Sequence, residues 1–350
     1  MTTVAAIDCG TNSIRLLISD VAVHDGDEVG LLDLERRMEI VRLGQGVDRT
    51  GAFAPEALER TFEALRSYAK LMREHGVPFD AGHVRMVATS ATRDASNREE
   101  FISGVREIIG VEPEVISGDE EAELSFVGAT AELEAEGDGG GHPRPYLVVD
   151  IGGGSTEFVL GYPEDAGEAD GVVQAARSVD IGCVRMTERH LSADPPTAEQ
   201  VAAATADVDA ALDEAAQTVP IGEAATVVCV AGTATTVAGI ALDLPEYDSE
   251  RIHLTRVTAE RTGEIARELL SMPHERRAGL GVMHPGRVDV IGAGALILDR
   301  VLARTGAEAF YAGEHDILDG IVWGLCLGVS DAAEDTAEDT AEEDTGAAGE

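Results

Sequence analysis

The chain has 350 residues, 44% of them hydrophobic and only 4% aromatic, with 66 acids against 26 bases and a formal net charge of -40. That length suits two domains, and an aliphatic, glycine-rich composition suits α/β layers. So acidic a body excludes nucleic acid and anionic membranes as partners. It also repels any polyanionic substrate, so a phosphate site must bring its own arginines, metal ion or backbone N–H groups.

Part of the charge is terminal. Residues 331–350 hold nine acids and no base, with Glu-Asp-Thr repeated from Glu334, Glu338 and Glu343, and 66 acids less these nine leaves 57 against 26 bases. This block has no apolar surface to bury and is expected to be a disordered acidic tail. Lys70 is the only lysine, and the other 25 bases are arginine. Cys9, Cys183, Cys229 and Cys326 are scattered and form no C-x-x-C, which predicts buried free thiols and a reducing, cytoplasmic setting. No basic n-region opens the chain and no apolar run approaches the roughly 20 residues of a bilayer span, so neither signal peptide nor membrane span is expected.

In chain order, Val4 to Ile7 reads as a strand, Asp8 to Ser13 as a polar turn and Ile14 to Ile18 as a second strand. Leu32 to Leu43 alternates as a further strand. Pro55 opens a helix to about His75. Val84 to Ala88 is a buried strand, Arg98 to Ile109 a helix, and Glu114 to Ile116 a short strand. A helix starts at Asp119 and runs to about Glu134, and 135–145 is a Gly/Asp/Pro loop near a domain boundary. Tyr146 to Ile151 is a strong buried strand, followed by Gly152-Gly153-Gly154-Ser155 and the strand Thr156 to Leu160. Helices are expected over 197–217, 257–271 and 286–305, a strand over Ala225 to Val230, a turn into a helix at Gly232, and a closing helix from Asp316 to Val329. Strands alternating with helices predict parallel sheet.

The chain echoes itself. Asp8, Gly10 and Ser13 fall on Asp150, Gly152 and Ser155 at an offset of 142 residues, each set between two apolar strands. A tight turn of Gly, Thr, Asn and Ser exposes successive N–H groups and hydroxyls that cradle phosphate oxygens, and glycine permits close backbone approach. Gly10, Thr11, Asn12 and Ser13 are thus one candidate phosphate loop, and Gly152, Gly153, Gly154 and Ser155 the other. An Asp at the strand end can hold a divalent cation or orient its waters. No Walker G-x-x-x-x-G-K-[ST] exists, and Gly152-Gly153-Gly154 turns into a strand and not a helix, which excludes a dinucleotide fingerprint.

These two turns resemble the phosphate loops of the exopolyphosphatase / guanosine pentaphosphate phosphohydrolase (Ppx/GppA) family. Six further blocks agree in order: Leu43 to Val47, Ala88 to Arg93, Ile116 to Ala122, Ile181 to Val184, Val230 to Thr233 and His284 to Asp289. The resemblance covers about residues 4–329. It implies an α/β fold of two actin-like (ribonuclease H-like) lobes with a cleft between them, of the acetate kinase–sugar kinase–Hsp70–actin group. Lobes are expected over 1–125 and 126–330. The longer members carry a further helical module, so the chain resembles the short, two-domain type.

The resemblance implies metal-dependent hydrolysis of the terminal phosphoanhydride of inorganic polyphosphate, with guanosine pentaphosphate as the alternative substrate. The family pattern assigns the general base to Glu121, where a carboxylate orients and deprotonates the attacking water. Arg15 and Arg93 follow phosphate-like turns and match family arginines. Arg287 is a further phosphate candidate that could equally pair with Asp289, and Gly232-Thr233 begins a third phosphate or nucleotide loop. Asp150, then Asp8, then Glu157 are candidate ligands for Mg2+ or Mn2+, which takes one or two carboxylates plus substrate oxygens. His274, His284 and His315 read as structural. Expected partners are the substrate and, as a possible assembly, a homodimer. An ATP-dependent kinase or nucleotide-binding regulator of the same fold group is the competing reading, and it does not require the Glu120-Glu121 helix start.

Overall fold

A computed structural model of the chain describes residues 2–23, 29–130, 133, 142–162 and 173–326. The acidic tail and most of the 135–145 loop lie outside the described residues. Two sheets organise the chain. The first holds β1 (Thr2–Cys9), β2 (Ser13–Val23), β3 (Val29–Ile40), β4 (Val84–Ala88) and β5 (Glu114–Val115) in the order β3-β2-β1-β4-β5. The second holds β6 (Tyr146–Ile151), β7 (Thr156–Gly161), β8 (Val173–Val179), β9 (Thr226–Val230), β10 (Thr255–Thr258) and β11 (Ala309–Ala312) in the order β10-β11-β9-β6-β7-β8.

The two sheets share one plan. Each starts with an antiparallel meander and then adds two parallel strands beside its first strand. β10 is an extra antiparallel edge strand. In register, Asp8 faces Arg15 across the first hairpin and Asp150 faces Glu157 across the second. This is the two-lobed actin-like architecture, and the echo in the sequence is its repeat.

Helices cover both faces of each sheet. In the first lobe, α1 (Val47–Thr50) and α3 (Ser90–Asp94) are single turns, and the long helices are α2 (Pro55–Glu74) and α4 (Arg98–Ile109). Pro55 pre-sets the first turn of α2, and Ala57, Leu58, Thr61, Ala64, Leu65, Tyr68 and Met72 recur at helical spacing on its buried face. That face and Phe101, Ile102 and Val105 of α4 close one side of the first sheet.

The second sheet packs on α7 (Ala198–Thr218), α8 (Ala231–Ala241), α10 (Ala259–Ser271) and α12 (Ile291–Thr305). Thr197 and Gln200 form a capping box at the start of α7. α6 (Cys183–His190), α9 (Ser249–Ile252) and α11 (His274–Ala278) are shorter. Among the described residues no helix is long and apolar enough to cross a membrane.

The other face of each sheet is covered by a helix that follows the strands of the opposite sheet. α5 (Gly118–Thr130) lays Ala122, Phe126 and Ala129 on the second sheet. A final helix, α13, over 317–326, lays Ile317, Leu318, Ile321, Val322 and Leu325 on the first. The two helices cross in backbone contact, because a Cβ on Gly128 would collide with the Asp316 carbonyl and one on Gly320 with that of Leu124. The lobes are therefore tied together by exchanged helices as well as by chain connections.

Several elements depart from the sequence reading. The helix expected over 286–305 starts at Ile291, since Pro285–Arg287 is a separate 3-10 turn capped by His284. β8, β10, β11, α3 and α6 were not anticipated. β8 is a half-buried edge strand with Gln174 and Arg177 in it, so its apolar alternation is weak.

Candidate active site

The ends of β1 and β6 bring the two glycine turns face to face. Gly10 N–H bonds to Ser13 carbonyl at 3.0 Å, and Gly152 N–H to Ser155 carbonyl at 3.1 Å, so both turns close the same way. Their carbonyls are drawn outward. Thr11 carbonyl accepts from Gly44 N–H at 2.8 Å, and Asn12 carbonyl accepts from Val41 and Arg42 at 3.1 and 2.8 Å. In the second turn, Gly152 carbonyl accepts from Cys183 at 3.0 Å and Gly153 carbonyl from Val184 and Arg185 at 2.9 and 3.1 Å. Anchoring the carbonyls outward leaves the N–H side of both loops to the space between them.

The loops touch. A Cβ on Gly153 would lie 3.0 Å from Thr11 Cβ and 3.2 Å from Asn12 N, and one on Gly154 would lie 2.5 Å from Ser90 Oγ. A side chain at Gly154 would have to push the Ser90 and Thr11 hydroxyls aside. The enclosed space is a cavity of about 80 Å3 lined by Asp8, Gly10, Thr11, Asn12, Ser13 and Arg15 from the first lobe and Asp150, Gly152, Gly153, Gly154 and Ser155 from the second. Glu121, Gly232, Thr233 and Arg287 complete it. Thr11 Oγ1 and Asn12 Oδ1 are buried with no hydrogen-bond partner among the described residues. The cavity adjoins a larger one of about 460 Å3, and Arg15, Ala231, Gly232 and Arg287 belong to both walls.

Four acids converge here, and each is at least nine-tenths buried: Asp8, Asp150, Glu121 and Glu157. Burial pushes the Glu121 carboxyl up to about 7. Arg93 works against that shift, while Asp150 and Asp8 add to it. Burial, with Asp316 adding, pushes Asp150 up to about 6 against the pull of Arg15 and a Ser125 hydroxyl that donates to it at 2.9 Å. Asp8 is raised by burial in spite of Arg15, and Glu157 by burial and by the charges of Glu121 and Asp150. Ser178 donates to one Glu157 oxygen at 2.7 Å, and the other oxygen is buried with no donor at hydrogen-bond geometry among the described residues.

The arginines differ in availability. Arg15 forks onto Asp8 at 3.0 and 2.7 Å and also pairs with Asp316 of the turn before α13. Arg93 donates to Glu121 at 2.8 Å and to Ile116 carbonyl at 3.0 Å. It does not line the cavity itself. Glu157 also lies outside the lining, behind Glu121 and Asp150. Arg287 is different: no carboxylate among the described residues pairs with it, and burial lowers its pKa. Its guanidinium lies against Gly232, where a Cβ would strike it. Asp289, its alternative partner on sequence grounds, pairs instead with Arg42 at 2.8 Å and His274 at 3.1 Å.

Among the described residues no group of three or more His, Cys, Asp or Glu is arranged to hold a metal ion unaided. His284 caps the 3-10 turn and His315 pairs with Asp319 at 3.2 Å, while His274 holds Asp289. Sequence reasoning missed Asp316, Thr89, Ser90 and Ala231. Thr89 and Ser90 stood inside a quoted block and could have been found there. Ala231 takes a left-handed backbone, φ +65°, at the cavity wall, which costs an alanine about 1–2 kcal/mol. It stood inside the Val230 to Thr233 block, but nothing in the sequence marks its left-handed conformation.

Two alike lobes clasping one small cavity that a buried carboxyl of raised pKa opens onto are the arrangement of the actin-like class. Consistent with this, the Ppx/GppA phosphatase family matches residues 21–321, and the chain belongs to that family. It is 48% identical over 335 residues to Exopolyphosphatase 2 of Mycobacterium tuberculosis, an alignment covering 93% of this chain and 99% of that protein. The crystal structure of an exopolyphosphatase-like protein superposes with a TM-score of 0.85 at 45% identity, over 94% of this chain and 100% of the other. The Ppx-GppA enzyme of Aquifex aeolicus does so with a TM-score of 0.71 at 30% identity, over 92% and 98% of the two chains.

Proposed function

We propose that the chain is a cytoplasmic exopolyphosphatase that hydrolyses the terminal phosphoanhydride of inorganic polyphosphate and releases orthophosphate. One observation carries the reading: two Asp-Gly turns meet across a cavity of about 80 Å3, the size for one phosphoryl group, with Glu121 in its wall. The names of the relatives support the substrate class, and the four buried free thiols suit the compartment.

In this reading the N–H groups of Thr11 to Ser13 and Gly153 to Ser155 hold the terminal phosphoryl oxygens, where charge spreads as the bond to the leaving chain breaks. Glu121, ionised, orients a water in line with that bond and takes its proton. Arg93 keeps Glu121 ionised and aimed. Arg287, which lines the cavity and pairs with no carboxylate among the described residues, stabilises the oxygens toward the leaving chain. Thr233 and Gly232 border the exit into the larger cavity.

The donor set fits a hard divalent ion. Asp150 presents a carboxylate, the unpartnered Glu157 oxygen is a buried acceptor, and Asp8 stands nearby. With no three-ligand cluster among the described residues, Mg2+ or Mn2+ would share these with phosphate oxygens and waters. When bound, the ion neutralises charge on the scissile phosphates. The larger cavity, which Arg36, Arg37, Tyr247 and Met283 help to line, suits either further phosphates or a guanosine. That feature keeps guanosine pentaphosphate as the second substrate reading.

Phosphate release from polyphosphate, guanosine pentaphosphate and ATP, each with Mg2+, tests the proposal. Release from polyphosphate with no nucleotide present supports it. Turnover confined to ATP with an acceptor points to a kinase and overturns it.

A further inference from the structure

We propose that Arg185 is a positioning residue that fixes the second phosphate loop and latches it to the first lobe. The inference rests on the reading that this loop holds phosphate. Arg185 lies in the first turn of α6, whose N-terminal peptides already hold the carbonyls of Gly152 and Gly153. Its side chain takes the next one: Nε donates to Gly154 carbonyl at 2.6 Å. Three successive carbonyls are thereby pinned away from the cavity. Arg185 supplies the last, beside Ser155.

The same guanidinium crosses the cleft. Nη1 donates to Asp48 at 2.7 Å, and Nη2 to Asp94 at 2.5 Å and to Ser90 Oγ at 3.3 Å. Asp48 belongs to α1 and Asp94 to α3, both in the first lobe, and Ser90 lines the phosphate cavity. Arg185 is 10% exposed although Asp48 and Asp94 are 25% and 39% exposed, so the cation is sheltered while its partners reach solvent. Glu188 and Arg189 follow at i+3 and i+4, on the same face of α6. Glu188 accepts from Gly46 N–H at 3.1 Å, and Arg189 donates to Asp48 at 3.0 Å.

One helix face therefore grips the first lobe beside the cavity, and its central residue also holds the loop. A planar fork with five donors can serve a carbonyl, two carboxylates and a hydroxyl at once, which a lysine cannot. A residue that served only to pair charges would not need the Gly154 contact. Opening the cleft must break the contacts of Arg185 with Asp48, Asp94 and Ser90, but the one with Gly154 can persist.

The test uses full-length protein with Arg185→Gln, Arg185→Lys and the double variant Asp48→Asn/Asp94→Asn. Inorganic phosphate affinity is read by calorimetry with Mg2+, KM and kcat with polyphosphate, domain closure by the radius of gyration in solution scattering, and folding by Tm. For Arg185→Gln, phosphate affinity is expected to weaken and KM to rise about tenfold, the loss of one charge-assisted hydrogen bond, with a smaller change in kcat. Arg185→Lys recovers only part. The double aspartate variant keeps the Gly154 contact, so it should enlarge the radius of gyration while weakening phosphate less than Arg185→Gln. Wild-type phosphate affinity in Arg185→Gln overturns the proposal, and so does an unchanged radius of gyration in the double variant. If Arg185→Gln does not fold, the double variant alone decides the latch. Wild-type protein that neither binds phosphate nor cleaves polyphosphate would sink the proposed function, yet the scattering comparison would still decide the latch.

Discussion

Arg93→Met separates two roles that the arginine could play. In the structure Arg93 touches Glu121 at 2.8 Å and lies outside the cavity lining, so the proposed mechanism has it act on the base and not on phosphate. Burial has already pushed the Glu121 carboxyl up to about 7, and Arg93 is the leading influence holding it down. An opposite charge at contact distance lowers a carboxyl pKa by about 1–3, so its removal raises it by that much. The methionine retains most of the volume. The Glu121 carboxyl then becomes neutral at pH 7 and is no longer an unpaired buried charge, so folding should survive.

The magnitude follows. A base with a pKa of about 7 is half ionised at pH 7. Raised by about 1–3, it is ionised in roughly one molecule in ten to one in a thousand, so kcat at pH 7 falls about fivefold to several hundredfold. The loss is a titration and must be repaid by alkali: the acid limb of kcat shifts about 1–3 pH units upward, and the deficit against wild type narrows steadily as pH rises from 7 to 9.5. Steady-state kinetics from pH 5.5 to 9.5 at one saturating Mg2+ concentration reads it. If the variant's profile overlays that of wild type, Arg93 does not govern the base. If KM rises equally at every pH while the limb stays fixed, Arg93 grips phosphate and the geometric argument is wrong.

Glu121→Gln should lower kcat by roughly 10² to 10⁴-fold with phosphate affinity near wild type. Glu120→Gln is its control: Glu120 is 44% exposed and pairs with Arg85 at 3.1 Å, so its loss should cost no more than about 1 kcal/mol of stability and little rate. A larger rate defect in Glu120→Gln would show the wrong carboxylate had been chosen. In chelator, thermal stability should rise as pH falls from 8 to about 5.5. Glu121 and Asp150 both bind protons more tightly folded than unfolded, so their destabilising effect is present above the folded pKa and fades below it. Asp319, held well below the usual range chiefly by His315 and Arg36 in spite of its burial, stays ionised throughout that window and does not offset the trend. Mg2+ should accordingly raise Tm more at pH 8 than at pH 5.5, and equal rises would argue against a cation among these acids.

The repeat was legible because each half announces itself with a buried strand, an Asp and a Gly-rich turn. Helices such as Arg98–Ile109 were legible because their apolar spacing is strong and their ends are marked, here by Gly110 at φ +73°. β8, β10 and β11 were not, since short or half-buried edge strands carry little periodicity. The loops' residues could be named from sequence, but not the partners that set their charge. Asp316 reaches Arg15 over 301 positions, and Arg185 reaches Asp48 over 137. Such pairings arise from lobe docking, and no local pattern encodes them. Composition did not separate Arg287 from the other arginines either. What distinguishes it is that it lines the cavity with no carboxylate partner among the described residues, a property of packing alone.

That distribution of charge also predicts how salt acts. Around the cavity stand Asp8, Asp150, Glu121, Glu157 and Asp316, against Arg15, Arg93 and Arg287. Arg15 and Arg93 are already engaged by carboxylates, so of these three arginines only Arg287 is uncommitted among the described residues, inside a chain of net charge -40. Attraction from a distance is absent, and binding depends on short-range N–H groups and on a cation brought with the substrate. Protein–polyanion complexes ordinarily weaken as salt rises, because salt screens attraction between basic protein and anion. Here the long-range term is repulsive. Raising ionic strength from about 0.01 to 0.1 M shortens the screening length from about 30 to 10 Å and removes most of that repulsion, while contacts inside the cavity are screened far less. KM for long-chain polyphosphate at constant free Mg2+ should therefore fall over that range, and do so more for long chains than for short ones. A KM that instead climbs steadily with salt would mean that a basic path to the cavity, and not the backbone of its two loops, carries the binding.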